Sequence, residues 1–180
     1  MNRSKIRFLY LLVFLRLSCP FLIFPYPLVA IIINYLLDCW DGLIFNKLGY
    51  GLKTYRFVDQ LLDLYWLTFI LIYLIFNRPE PIVFFSSLFF FLLRFVGVII
   101  FIFRRKENHF LFFPNVFEHL FWVYIISKQF NFPQLIKFPL WGIFLLILTP
   151  LKVFDEYLIH QKKFSLLNTI MRKKILNWSD

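Results

Sequence analysis

Six long apolar segments, separated by short polar breaks, constrain the fold of this 180-residue chain more than any other feature. They cover approximately residues 7 to 25, 26 to 44, 56 to 76, 82 to 103, 110 to 128 and 138 to 158. Because a helix needs about 20 apolar residues to cross a membrane, six crossings use nearly the whole chain. Continuous apolar runs also argue against strands, in which apolar and polar residues would alternate. We therefore expect an all-α protein, an integral membrane six-helix bundle.

The composition supports a chain that is surrounded by lipid. Hydrophobic residues make up 61% of the sequence, whereas about half is typical of soluble domains. We expect one six-helix transmembrane domain over residues 1 to 160 and a basic amphipathic tail over 161 to 180, with partial disorder of that tail as the alternative. Residues 1 to 25 are similar to a signal peptide, but Arg16 interrupts the apolar run and no small-residue cleavage site follows. We expect a retained first helix.

The basic residues indicate an orientation in the membrane. If the N-terminus is cytoplasmic, fourteen Lys and Arg lie on the cytoplasmic side, whereas only Arg78, Lys128 and Lys137 lie outside. The opposite orientation would exchange these totals, so the positive-inside rule predicts that both termini are cytoplasmic. The net charge of +10 is therefore interpreted as an orientation signal, and we expect no nucleic-acid partner. The expected location is a bacterial inner membrane.

Ionisable residues inside the apolar segments indicate a polar site. Each one costs several kcal/mol in lipid and usually serves a pathway or a site. With a rise of about 1.5 Å per residue, they all fall in the cytoplasmic half or near the midplane. Such a cavity could bind phosphate through Arg and Lys and a divalent metal through carboxylates. The residues are Arg16, Asp38, Asp41, Asp59, Asp63, Arg94, Glu118, His119 and Lys152.

Two smaller features of the later segments have ordinary explanations. Lys152 and Glu156 are spaced for an ion pair across one helical turn. The group that contains Asn115 and Glu118 is typical of a helix start with a paired Glu, and a substrate contact is the alternative.

Four aspartates in two adjacent segments predict a metal site. Asp38 and Asp41 are three residues apart and Asp59 and Asp63 are four apart, so each pair lies on one face of its helix. On two antiparallel helices the four carboxylates, which we call the aspartate cluster, can converge. Protons or cations must then neutralise them. Oxygen ligands without His or Cys in register favour Mg²⁺ or Mn²⁺.

The spacing of these residues resembles a known family signature. Asp38-Cys-Trp-Asp41-Gly42, followed by Asp59-Gln-Leu-Leu-Asp63, is similar to the CDP-alcohol phosphatidyltransferase signature D-x2-D-G-x2-A-R-x8-G-x3-D-x3-D. The run from Phe14 to Pro20, which contains Arg16, also looks like the first helix of that family. Three positions depart: Phe45, Asn46 and Tyr55 replace the Ala, the Arg and the second Gly. Tyr55 would fill space where the resemblance puts the nucleotide or pyrophosphate.

The resemblance implies an activity and its partners. The chain would be a transferase of phospholipid biosynthesis that moves a phosphatidyl or substituted phosphate group from a CDP-linked donor to a hydroxyl acceptor, releasing CMP. The partners would be membrane lipid, the CDP-linked donor and the acceptor, and a homodimer stays open. The active site would face the cytoplasm.

The resemblance also implies roles for individual residues. Asp38, Asp41 and Asp59 would bind Mg²⁺ or Mn²⁺, and Asp63 would be the general base and a metal neighbour. Nucleotide contacts would fall on Gly42, Asn46 and Tyr55. Arg94, Arg104 and Arg105 are candidates for binding a phosphorylated acceptor, with topology and snorkelling as the alternative and, for Arg94, pairing with a carboxylate.

Two other functions compete with the transferase. A relative that has lost CDP chemistry and acts as a membrane interaction or regulatory protein would explain Phe45, Asn46 and Tyr55. A small cation or proton transporter would use the carboxylates, but broken helices or repeat symmetry, which would support it, are not evident in the sequence.

Overall fold

The structure, a computed structural model, describes residues 3–105 and 108–160. Within these ranges it is all-helical, with six α-helices, three short 3₁₀ helices and no strand. The predicted all-α class and the six helices are confirmed, whereas the predicted tail of residues 161 to 180 lies outside the described residues. The α-helices are α1 (Arg3–Ser18), α2 (Pro27–Lys47), α3 (Leu52–Asn77), α4 (Pro81–Arg104), α5 (Val116–Gln129) and α6 (Leu140–His160).

Prolines set several helix ends. α2 and α4 begin at Pro27 and Pro81, where the missing backbone N–H costs nothing because the first turn has no partner for it. Two of the predicted apolar segments extend beyond the observed α-helix at an end that contains a proline. α1 stops at Ser18 ahead of Pro20, and a 3₁₀ helix covers Cys19–Ile23. α5 starts only at Val116, after Pro114, although the apolar run begins at residue 110.

The helices differ in their capacity to cross a membrane. Lys53–Asn77 of α3 and Pro81–Arg104 of α4 are long and apolar enough to do so. α1 and α5 have 16 and 14 residues, which at about 1.5 Å per residue is less than the roughly 30 Å of a hydrocarbon core. α2 and α6 have 21 residues each but carry charged side chains within them. Among the described residues, length and composition therefore support two crossings.

The described residues form two compact units. The first ends at Trp66 and contains α1, α2 and the beginning of α3, with α2 packed against the 3₁₀ helix Cys19–Ile23. The second begins at Leu67 and contains the rest of α3, α4, α5 and α6. Buried apolar side chains fill both units, among them Ile23, Ala30, Ile31 and Phe45 in the first and Val98, Phe117, Leu120, Phe121 and Trp141 in the second.

Gly97 permits a close approach in the second unit. A Cβ atom at this position of α4 would lie 2.5 Å from Phe113 Cβ and 3.0 Å from its Cγ. His109 Nε2 lies 3.1 Å from the Gly97 carbonyl oxygen, and because a carbonyl only accepts, Nε2 is the donor. The segment before α5 is thus packed directly onto the backbone of α4.

We expect Gly97→Ala to destabilise the protein by about 1–3 kcal/mol, because the added methyl group displaces Phe113 near its backbone. Gly142→Ala in α6 is the matched control, since its Cβ would lie 3.7 Å from the Phe138 ring, an ordinary contact. Thermal unfolding of the full chain in detergent micelles measures both variants. Equal unfolding midpoints for the two would contradict the close packing at Gly97.

Candidate metal centre

A single guanidinium connects three of the four aspartates. Arg16 lies in the last turn of α1 and is only 2% exposed. Its Nη1 donates to Asp38 Oδ1 at 2.8 Å and lies 3.4 Å from Asp41 Oδ2. Its Nη2 donates to Asp63 Oδ1 at 3.0 Å. Arg16 therefore ties α1 to both helices that carry the aspartate cluster.

Three of the carboxylates place an oxygen in one small volume. Asp38, Asp41 and Asp59 each offer an oxygen, and these oxygens lie within 4.8 Å of one another. Asp41 and Asp59 are buried, whereas the Asp38 side chain is 44% exposed. The cluster is therefore accessible from the side of Asp38. Asp63, the fourth member of the cluster, is connected to Asp38 and Asp41 through Arg16.

The charge of the cluster and its donor atoms fit a hard cation. Arg16 compensates one of four carboxylates, which leaves three negative charges when all are ionised. Asp41 Oδ2 is buried and accepts no hydrogen bond from any residue that the structure describes. Carboxylate oxygens are ligands of hard divalent cations, among them Mg²⁺, Mn²⁺ and Ca²⁺. The residues present thus have the chemistry to hold a divalent cation.

Tyr55, in the first turn of α3, also contacts the cluster. Its hydroxyl donates to Asp41 Oδ1 at 2.9 Å and lies 3.4 Å from Asp59 Oδ1. Its ring covers Gly42, where an added Cβ would lie 3.1 Å from the Tyr55 hydroxyl oxygen. Two of the predicted nucleotide contacts, Gly42 and Tyr55, are therefore in contact with each other.

Two of the three replaced signature positions also pack together. Phe45 is buried in α2, and its ring centroid lies 5.4 Å from that of Tyr55 and 5.6 Å from that of Tyr50. Asn46 is described only as a backbone position of α2. The aromatic side chains at 45 and 55 thus form one packed group beside the carboxylates.

The predicted phosphate-binding arginines lie in the second unit. Arg94 is buried, and its Nη1 donates to the Phe113 carbonyl oxygen at 3.1 Å and to Glu156 Oε1 at 3.3 Å. Its guanidinium also lies 4.4 Å from the centroid of the Phe110 ring. Arg104 is the exposed last residue of α4, and Arg105 follows in a left-handed conformation, with φ 54°. The charge of Arg94 is therefore compensated within its own unit.

The predicted ion pair between Lys152 and Glu156 is wrong, because each of the two side chains has a different partner. Glu156 faces Arg94 and the start of α5, where the Asn115 backbone N–H donates to Glu156 Oε1 at 3.5 Å. Lys152 instead pairs with Asp155 at 2.8 Å. Leaving the buried Arg94 guanidinium without a carboxylate would cost more free energy than an exposed ion pair within α6 contributes, so Glu156 pairs with Arg94.

The predicted helix start near Asn115 is confirmed. α5 begins directly after Asn115, and Asn115 Nδ2 donates to Glu118 Oε2 at 3.2 Å. The Asn115 side chain does not cap the helix. Glu156 Oε1 accepts from the backbone N–H of Asn115, the residue that precedes the helix.

Arg16 and Tyr55 contact the aspartates in ways that the sequence did not predict. Arg16 was expected in the polar cavity, but not as the residue that joins the aspartates. Its signal was a basic residue that interrupts the first apolar run. Tyr55 was expected to fill nucleotide space, whereas its hydroxyl reaches the carboxylates. Its spacing of four residues from Asp59 is the signal for that contact.

Comparison of the chain with protein-family models, curated proteins and solved structures finds no match in any of the three.

Proposed function

We propose that this chain is a membrane transferase that moves a phosphatidyl or substituted phosphate group from a CDP-linked donor to a hydroxyl acceptor and releases CMP. The observation that carries the proposal is the convergence of Asp38, Asp41 and Asp59, whose oxygens lie within 4.8 Å of one another. These residues stand at the spacing of the CDP-alcohol phosphatidyltransferase signature.

The proposed mechanism assigns separate tasks to the residues of the cluster. Asp38, Asp41 and Asp59 would hold Mg²⁺ or Mn²⁺, which when bound supplies positive charge for the oxygens of a diphosphate. Arg16 holds the Asp38 and Asp63 carboxylates in place. Asp63, whose side chain is 23% exposed, would take the proton of the acceptor hydroxyl as it attacks the donor phosphorus. The bond from phosphorus to the CMP oxygen then breaks.

We propose a six-span topology with both termini in the cytoplasm, in a bacterial inner membrane, in which the 3₁₀ helices Cys19–Ile23 and Asn108–Phe112 lengthen the apolar spans of α1 and α5. The distribution of side chains supports a lipid environment, because Phe103 and Leu146 are 82% and 77% exposed whereas Arg94 and Asp41 are buried. The excess of basic residues in alternate loops supports the orientation. In this topology the aspartate cluster faces the cytoplasm.

A second candidate function is supported by the aromatic group. Tyr55 covers Gly42 and packs on Phe45, at positions where the signature has small residues. A chain with this space filled could bind a cation without accepting a CDP-linked donor. It would then act as a membrane interaction or regulatory protein.

Release of CMP tests the transferase. We expect purified protein with CDP-diacylglycerol, Mg²⁺ or Mn²⁺ and a suitable alcohol from a panel to release CMP. Asp63→Asn should slow that release by about 10²-fold or more, because the general base is lost. Asp155→Asn, a partly exposed aspartate of α6, is the matched control and should keep the rate.

Cation binding distinguishes the two candidate functions. We expect calorimetry to detect Mg²⁺ or Mn²⁺ binding that Asp41→Asn abolishes. Binding without CMP release from any acceptor would favour the second function. CMP release that Asp63→Asn leaves unchanged would remove the assignment of the base.

A further inference from the structure

Tyr55 packs against two residues of α2. One is Gly42, where an added Cβ would be 3.2 Å from Tyr55 Cζ. Phe45 lies at a ring distance of 5.4 Å. Since both neighbours belong to α2 and Tyr55 belongs to α3, the contact between these helices positions the hydroxyl.

The hydroxyl reaches two carboxylates with a single proton. The shorter distance, 2.9 Å, is to Asp41 Oδ1, and Asp59 Oδ1 lies at 3.4 Å. A phenol donates one hydrogen bond at a time, so it serves Asp41 first. Oδ1 of Asp41 accepts this hydrogen bond, while the buried Oδ2 accepts none from the described part of the chain and lies 3.4 Å from Arg16 Nη1. The orientation of the Asp41 carboxylate is thereby defined.

We propose that Tyr55 is a positioning residue that sets the affinity and the size selectivity of the aspartate cluster for divalent cations. The inference rests on the metal site of the proposed function. A hydrogen bond to a ligating carboxylate orients it, and its removal typically costs about 10–100-fold in metal affinity. Mg²⁺ requires near-octahedral ligands at about 2.0–2.1 Å, whereas Ca²⁺ accepts flexible ligands at about 2.3–2.6 Å. A rigid Asp41 therefore favours the smaller ion.

The matched variants are Tyr55→Phe and Tyr50→Phe. Both keep a ring that packs on Phe45, and among the described residues Tyr50 makes no hydrogen bond to the aspartates. Calorimetry on the full chain in micelles measures the dissociation constants for Mg²⁺ and Ca²⁺. We expect Tyr55→Phe to weaken Mg²⁺ binding by about 10–100-fold and Ca²⁺ binding by less, so that the Mg²⁺/Ca²⁺ affinity ratio falls. Tyr50→Phe should keep the wild-type ratio.

The Mg²⁺/Ca²⁺ affinity ratio distinguishes a role of Tyr55 in orienting Asp41 from a general effect of the substitution on the structure. Loss of packing would weaken both ions by the same factor, whereas loss of orientation affects the smaller ion more. An unchanged ratio in Tyr55→Phe would overturn this inference and leave the metal site standing. Absence of divalent-cation binding to the wild-type protein would overturn both the inference and the metal site.

Discussion

Arg94→Met is expected to destabilise the second unit by about 3–5 kcal/mol, because it leaves Glu156 as a buried charge without its guanidinium partner. Arg94 and Glu156 are both nearly excluded from solvent, with side chains 4% and 6% exposed. The variant also loses the hydrogen bond to the Phe113 carbonyl oxygen. Thermal or denaturant unfolding in micelles measures the loss.

Lys152→Met is the matched control for Arg94→Met. It removes a cation that also pairs with a carboxylate of α6, but Asp155 is 40% exposed. Solvent screens such a pair, so the expected cost is below about 1 kcal/mol. The double variant Arg94→Met/Glu156→Met should recover most of the lost stability, since no buried charge then lacks a partner. A double variant as unstable as Arg94→Met would show that the ion pair is not the cause.

Arg16→Met is the second large effect, with an expected loss of about 3 kcal/mol or more. The substitution leaves Asp38, Asp41 and Asp63 without the cation that holds them, and Asp41 is fully buried. Arg7→Met, at an exposed position of the same helix, should change the stability little. Unfolding midpoints of the three proteins give the comparison.

A bound divalent cation should reduce the loss of folding stability that Arg16→Met causes. A ligand that binds only the folded state at about 100 times its Kd contributes about 2.7 kcal/mol. Removal of Arg16 raises the negative charge of the cluster, so Mg²⁺ should stabilise the variant more than the wild type. Equal stabilisation of the two proteins would argue that Arg16 and the cation interact with different oxygens.

The helices were predictable because long apolar runs have few alternative structures. Their ends were less so, since hydropathy continues through Pro20 and Pro114 while the α-helix does not. The convergence of the aspartates was predictable for a related reason. Spacings of three and four residues put each pair on one face of its helix, and the cost of unpaired carboxylates in an apolar segment favours an arrangement in which the two faces meet.

Pairing of Arg94 with a carboxylate was an alternative that the sequence offered, but the identity of its partner was not predictable. Its partner Glu156 is 62 residues away, and helical periodicity relates only residues a few positions apart. Their spacing predicted Lys152 as the partner of Glu156, but Glu156 pairs with Arg94 because Arg94 is buried and needs a carboxylate. The contact of Tyr55 with Gly42 likewise depends on how α2 and α3 pack, which no periodic pattern contains.

The contact between Gly42 and Tyr55 links two positions in evolution. A side chain at 42 would meet the Tyr55 ring at 3.1–3.2 Å, so the ring has to shift by a few tenths of an ångström to admit it. A glycine at 42, in contrast, accepts a small residue at 55. A side chain at 42 should therefore be tolerated better where position 55 carries a small residue than where it carries tyrosine.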